Sequence, residues 1–286
     1  MKILITGING QVGSALVRQA NEQGHEVIAI SREQWDMALS PEQGEELVLE
    51  AKPDLVINPA AYTNVDGAED NEVTALKVNA DAPRALAKGC QQLDIPIFHV
   101  STDYVFDGTK EEPHVETDQT NPINAYGRTK LAGELAVQEE TEKYIILRTS
   151  WVFSKDGKNF VNTILRLAKE RDELKVVNDQ FGGPTSAECI AGVLLGLATE
   201  HKEHWGIYHY SGQPFVSWYE FAKKIVEKSV QDGVLSKAPV IKPCGSDEFP
   251  VKAERPKNSK LAQEKLVKMY SQSSCDWYKA LSRSHN

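Results

Sequence analysis

A chain of 286 residues with 41% hydrophobic and 26% charged side chains is long enough for one large globular domain or two modest ones sharing an interface. Its formal net charge of −9 argues against non-specific binding to nucleic acid or anionic membranes, while a small anionic ligand can still be held by local dipoles. No apolar run approaches membrane-span length and Met1 leads directly into Lys2-Ile3-Leu4-Ile5 without a signal-peptide layout, so a cytoplasmic protein without a membrane partner is expected.

The first predicted element is a short apolar strand, Lys2 to Thr6, ending in Gly7-Ile8-Asn9-Gly10-Gln11-Val12-Gly13. A helical pattern follows, with Val12, Leu16, Val17 and Ala20 on one side and Gly24 as its stop. His25 to Ile30 reads as a second strand. Strand, glycine turn, helix and strand within about thirty residues make the βαβ setting of a dinucleotide site. Gly7 and Gly10 permit a tight turn and a close approach to a pyrophosphate. Gly13 allows helix–strand packing, and the N–H groups around Gln11 and Val12 open onto the phosphate.

After the second strand come Ser31, Arg32 and Glu33. A hydroxyl and a guanidinium suit a 2′-phosphate and favour NADPH, whereas Glu33 keeps NADH open. Arg32 also has the plainer reading of a solvated loop charge. A helix is expected from near Ser40-Pro41, then a buried strand, Pro53 to Asn58, running into Pro59-Ala60-Ala61-Tyr62-Thr63. Small residues at a strand's carboxyl end leave room for a ligand or serve close packing. The acids early in Val65 to Leu93 suit a helix N-terminus better than a metal site, since no His or Cys accompanies them.

A fourth strand, Ile95 to Ser101, runs into Thr102-Asp103-Tyr104-Val105-Phe106. Thr109 to Asn124 is polar and reads as a loop, after which a helix opens with Tyr126 and Lys130 four residues apart on one face. Together these residues make a proposal for carbonyl reduction. Thr102 orients the carbonyl oxygen and Tyr126 donates the proton. Lys130 lowers the tyrosine pKa and contacts the nicotinamide ribose. Asp103 either touches a substrate hydroxyl or caps the loop. Cys90, Cys189, Cys244 and Cys275 show no metal spacing and read as free thiols.

The second half continues with a strand, Tyr144 to Thr149, and predicted helices over Asn159 to Glu170, Glu188 to Leu197 and from Ser217. His209, on a short strand, reads as structural. Phe249 to Pro256 reads as extended, and Arg255 could reach a diphosphate through its planar fork.

In order, Gly7-x-x-Gly10-x-x-Gly13, Asn58-x-Ala60-Ala61, Ser101-Thr102-Asp103-Tyr104-Val105-Phe106 and Tyr126-x-x-x-Lys130 resemble the extended short-chain dehydrogenase/reductases. The chain is most similar to their dTDP-4-dehydrorhamnose reductase family. Arg148-Thr149-Ser150-Trp151-Val152-Phe153 and Asn178-Asp179-Gln180-Phe181-Gly182-Gly183-Pro184-Thr185 extend the resemblance over nearly the whole chain. It implies an α/β fold: a Rossmann-type doubly wound parallel sheet with a smaller, interleaved C-terminal substrate domain. Residues 1–150 would form the NAD(P)-binding part and 151–286 mainly the substrate-binding part. The implied reaction is reduction of the C4 keto group of dTDP-4-dehydro-L-rhamnose to dTDP-L-rhamnose, with NADPH as cofactor and NADH open. The implied cofactor contacts are Gly7, Gly10, Gln11, Val12, Gly13, Ser31, Arg32, Ala60, Ala61, Thr63, Tyr126 and Lys130. The substrate contacts are Thr102, Asp103, Trp151 and Arg255, with packing in the interdomain core the other reading of Trp151.

Related activities fit less well. Nucleotide-sugar 4,6-dehydratases usually carry a glutamate where this chain has Tyr104, and no second set of acids points to a 4-epimerase. A reductase of another nucleotide-linked keto-sugar stays open. So does a non-catalytic NADP-binding subunit, such as the regulatory subunit of methionine adenosyltransferase. Some members of the family dimerise around magnesium held by glutamates. Gly13-Ser14-Ala15-Leu16 lacks such an acid although Glu188 matches another ligand, so no metal is expected and a homodimer is left open.

Overall fold

A computed structural model describes residues 1–200, 204–249 and 251–284. Residue 250 of the predicted extended stretch and residues 285–286 of the tail lie outside the described residues. The first half alternates strand and helix: β1 (Lys2–Ile5), α1 (Gln11–Glu22), β2 (Glu26–Ala29), α2 (Gln43–Ala51), β3 (Leu55–Asn58), α3 (Val65–Asp70), α4 (Glu72–Leu76), α5 (Ala82–Leu93), β4 (Ile97–Thr102), α6 (Ala125–Glu140) and β5 (Tyr144–Thr149). The second half contributes β6 (Val152–Phe153), α7 (Phe160–Glu170), β7 (Glu173–Val177), β8 (Phe181–Gly182), β9 (Thr185–Ser186), α8 (Ala187–Glu200) and β10 (Gly206–His209). It closes with β11 (Gly212–Gln213), β12 (Val216–Ser217), α9 (Trp218–Gln231), β13 (Val240–Cys244), β14 (Asn258–Ser259), α10 (Glu264–Tyr270), β15 (Cys275–Asp276) and α11 (Trp277–Ser284).

Six strands form one parallel sheet in the order β2-β1-β3-β4-β5-β10. Strands buried on both faces read as continuous apolar runs, which is why Lys2 to Ile5 showed no alternation. Successive side chains nevertheless part to opposite faces. Ile3, Ile5 and Ile57 pack with Leu16 of α1 and Leu194 of α8, while Leu4, Val56 and Ile146 pack with Val48 of α2 and Leu86 of α5. A third core, built around Phe153, Ile164, Phe221 and Trp277, holds the smaller unit together. Strand β10 and helix α8, both from the second half, complete the edge and one face of the sheet.

The chain leaves β1 for β2 on one side and returns to β3 on the other. The carboxyl ends of β1 and β3 therefore border the crevice where such sheets take ligands. Two expectations need correction. The predicted 65–93 helix is broken into α3, α4, a π-helical turn at Lys77–Asp81, and α5. That turn presents Asn79, whose side chain bonds the Tyr62 backbone and the Thr129 hydroxyl. Its carbonyl lies where a Cβ on Gly133 of α6 would sit, at 1.9 Å. The cysteines are not all free thiols either. Helix α8 and strand β15 bring Cys189 and Cys275 within 5.8 Å at Cα, where they form a disulfide, and Cys90 and Cys244 remain as buried thiols. Sequence spacing carried no sign of this, because the partners are 86 residues apart.

Candidate active site

A cleft of about 740 Å³ runs along the carboxyl edge of the sheet from the glycine turn to β5. At its first end, Gly7 takes a φ of +58°, and a Cβ there would lie 2.8 Å from Ala60 Cα. Glycine is thus required both for the turn and for the approach of β1 to β3. Helix α1 starts at Gly10 with no side-chain cap and no acid in its first turn, so its N–H groups are open to an anion. Gly10, Gln11, Val12 and Gly13 all line the cleft there. Gln11 Oε1 accepts from Ser154 and Asn159, each at 2.8 Å, and ties the turn to the second half.

Ser31, Arg32, Ala60, Ala61 and Thr63 line the cleft beside the turn. Arg32 is 77% exposed and paired to Asp36 at 3.2 Å, so it is a solvated charge free to exchange its partner. The sequence reading did not single out Trp35 and Asp36, which share this wall. Their position after β2 was the available signal. These residues fit a dinucleotide: a cradle that Cβ atoms would fill, an uncapped helix start, and a cation at the far end. One buried oxygen of the wall, Thr149 Oγ1, has no hydrogen-bond partner among the described residues and suits an incoming polar ligand.

At the middle of the cleft, Thr102 ends β4 and caps a 3₁₀ turn, Asp103–Val105, accepting from the Tyr104 N–H at 3.2 Å. Helix α6 is brought over this turn by Gly127, where a Cβ would lie 2.2 Å from the Tyr104 carbonyl oxygen. Its start is fixed by Asn124, whose Oδ1 accepts from the Gly127 N–H at 2.8 Å. Tyr126 consequently faces the cleft beside Thr102. Burial pushes the Tyr126 pKa up to about 12; the Thr102 hydroxyl pulls it down and Asp103 pushes it up.

This corrects the expected lowering by Lys130. The Lys130 ammonium is directed to β4, donating to Val100 O at 2.8 Å and lying 3.3 Å from His99 Nε2. Burial draws the Lys130 pKa down to about 8, against the pull of Glu134 upward. Asp103 is buried and raised to about 7 by desolvation, with Thr102 donating to its Oδ1 at 3.1 Å.

The other end of the cleft is aromatic. Trp151 and Trp218 line it as a parallel stack, ring centroids 3.4 Å apart and planes within 8°. Trp151 has a φ of +48°, strained for a bulky residue, and a Cβ on Gly182 would lie 2.6 Å from its ring. Trp218, one residue past the Ser217 helix cap, was missed by the sequence reading because nothing local places it opposite Trp151. Arg255 does not belong to the described cleft wall; it is paired with Asp66 at 3.0 Å. Glu188 accepts from Gln19 at 2.7 Å and pairs with Arg18. His209 is buried in a structural network, 3.5 Å from Arg148, with its pKa drawn down to about 3 by burial.

A cleft of this build places the chain in the class of nicotinamide-dependent reductases. The comparisons narrow the class. Residues 1–286 match the family model described as RmlD substrate binding domain, and the chain belongs to that family. It is 44% identical to the dTDP-4-dehydrorhamnose reductase of Burkholderia thailandensis, over 97% of this chain and 95% of that protein. A crystal structure of a dTDP-4-dehydrorhamnose reductase from Clostridium acetobutylicum superposes with a TM-score of 0.93 at 39% identity, covering 100% of this chain and 98% of that one. The Bacillus anthracis enzyme of the same name, solved in complex with NADP, gives 0.90 at 35% identity, covering 99% and 98%. No helix among the described residues is long and apolar enough to cross a membrane.

Proposed function

We propose that this chain reduces the C4 keto group of dTDP-4-dehydro-L-rhamnose to dTDP-L-rhamnose with NADPH. The observation that carries the reading is the continuous cleft, which joins the glycine turn to Thr102 and Tyr126 in a chain alignable end to end with reductases of that name. When bound, the reduced nicotinamide supplies a hydride. The glycine turn and the start of α1 would hold its pyrophosphate; Ser31 and Arg32 would hold the 2′-phosphate, Arg32 exchanging Asp36 for it. Ala60, Ala61 and Thr63 leave space along the wall. In this reading residues 1–150 mainly serve the cofactor and 151–286 mainly the substrate.

Tyr126 is suited to the reductive direction. An acid must be protonated to act, and a phenol raised to about 12 by burial keeps its proton at neutral pH. Thr102 lies beside that phenol, and each has one hydroxyl proton; a carbonyl oxygen entering between them would accept from both, the Thr102 proton turning to it from Asp103, and be held where its charge develops. Lys130 has three N–H donors; Val100 O takes one and His99 Nε2 lies 3.3 Å from the nitrogen, which leaves donor capacity for the nicotinamide ribose. Asp103 Oδ2 and Trp151 lie on the wall available to the sugar, and Arg255 would reach a diphosphate by leaving Asp66.

The test is loss of reduced-nicotinamide absorbance with the keto-sugar, made in situ from dTDP-glucose by a dehydratase and an epimerase. Turnover is expected with NADPH. If the protein binds NADPH and does not oxidise it with this substrate, the reading fails. Arg32→Ala should weaken NADPH by roughly tenfold, the scale of one exposed charge-assisted contact, and NADH much less. Equal loss for both cofactors in a binding titration would remove the phosphate role.

A further inference from the structure

Beneath the cleft, four side chains from β3, β4, α6 and the turn after β1 form one buried line. The Thr6 hydroxyl, just past β1, lies 2.6 Å from Asn58 Oδ1 at the end of β3. Asn58 Nδ2 lies 3.0 Å from His99 Nδ1 on β4, and His99 Nε2 lies 3.3 Å from the Lys130 ammonium on α6. All four are at most 1% exposed. A buried histidine on a strand is commonly a satisfied core residue. Here its outer nitrogen faces a group that the proposed reaction uses.

Hydrogen-bond logic restricts this line. With Asn58 Nδ2 donating to Nδ1, the imidazole proton sits on Nε2, and two donors oppose each other across 3.3 Å whenever Lys130 is charged. A half-turn of the Asn58 amide, whose oxygen and nitrogen are near-equal in size, removes the conflict. Nδ1–H then donates to the amide oxygen, the amide nitrogen donates to Thr6 Oγ1, and the Nε2 lone pair accepts from Lys130. We infer that His99 is a positioning residue for the reductase, holding Lys130 as an ammonium through Nε2 with its own proton on Nδ1 toward Asn58. The inference rests on the reading of Lys130 as part of the reducing site.

The surroundings agree. Burial and the neighbouring Lys130 hold the His99 pKa well below the ordinary value, so the ring is neutral and offers a lone pair. The charged and titratable groups about Lys130 are His99 on β4 and, on α6 itself, Tyr126 and Glu134. Arg148 of β5 engages Glu134, and Asp103 in the 3₁₀ turn acts on Tyr126. On α3 and α4, Glu69 accepts from the Ala125 N–H and Glu72 pairs with Arg128. Among the described residues, His99 is the side chain outside α6 that lies within hydrogen-bond distance of the ammonium.

The first test needs no turnover. In the full-length protein carrying isotope-labelled histidine, a long-range proton–nitrogen correlation at neutral pH, with and without NADP⁺, reads the tautomer directly. His99→Gln assigns the signal. A proton on Nδ1 supports the inference, and a proton on Nε2 overturns it. The second test is the pH profile of turnover. His99→Met removes the acceptor at similar size and should move the alkaline limb down by about one pH unit, the scale of one hydrogen bond to a charged group. His99→Gln, which keeps a distal acceptor, should restore it. A Met variant with the wild-type limb overturns the inference. Should the wild type itself fail to reduce the keto-sugar, the functional reading falls, and the tautomer still decides the role of His99 in the line.

Discussion

Helix α6 meets strand β4 through two polar clusters that behave in opposite ways. At one, Ser101 donates to Glu134 at 2.5 Å, and Arg148 embraces the same carboxylate with Nε at 2.9 Å and Nη2 at 2.6 Å. Every group there is buried and each carboxylate oxygen is engaged, so the contact is closed to ligands. At the other, His99 and Lys130 lie under the cleft with Tyr126, Thr102 and Asp103 beside them. Donor capacity on Lys130 and, across the cleft wall, an unpartnered Thr149 hydroxyl oxygen are left over. One helix and one strand thus carry a saturated polar contact that fixes register and an unsaturated one that can do chemistry. Saturation separates the two, since burial and charge are common to both.

Perturbing the two contacts should give different signatures. The largest effect is expected at the closed one. Arg148→Met leaves the Glu134 carboxylate buried without its cation and should cost about 3–5 kcal/mol, read as a lower denaturant midpoint. A variant of unchanged stability would break the comparison. Next comes Tyr126→Phe, which should lower turnover by roughly 10²-fold, the usual scale for a lost general acid, while NADPH binding and stability stay near wild type. Normal turnover in that variant would remove the acid from the scheme.

A smaller and subtler effect is expected at Asp103. Its pKa rises from the ordinary 3.8 to about 7 in the folded protein, so between these values the folded state holds a proton that the unfolded chain has released. Its contribution to stability is therefore present in full below about pH 4 and is lost as pH rises through about 7. Asp103→Asn should flatten the fall in stability over that window. An unchanged slope in denaturant midpoints against pH would place the effect elsewhere.

Much of this protein was written locally. The glycine turn, the apolar parallel strands and the capped helix starts at Asn124, Asn159 and Ser217 follow from backbone conformation, burial period and side-chain capping, all of which act within a few residues. The ordered motifs also placed Thr102, Tyr126 and Lys130 on one cleft wall. Their electrostatics were not legible. Helical spacing put a lysine one turn from a tyrosine, but how deeply each group would be buried depended on the whole sheet, and burial reversed the expected sign at Tyr126. Trp218 against Trp151, His99 against Lys130, Arg255 against Asp66 and Cys189 against Cys275 are pairings between distant segments. The sequence determined which residues could form a turn, a strand or a cap. Only the order of six strands and the return of the second half onto them decided which distant side chains would meet, because contacts across a sheet are set by topology and packing.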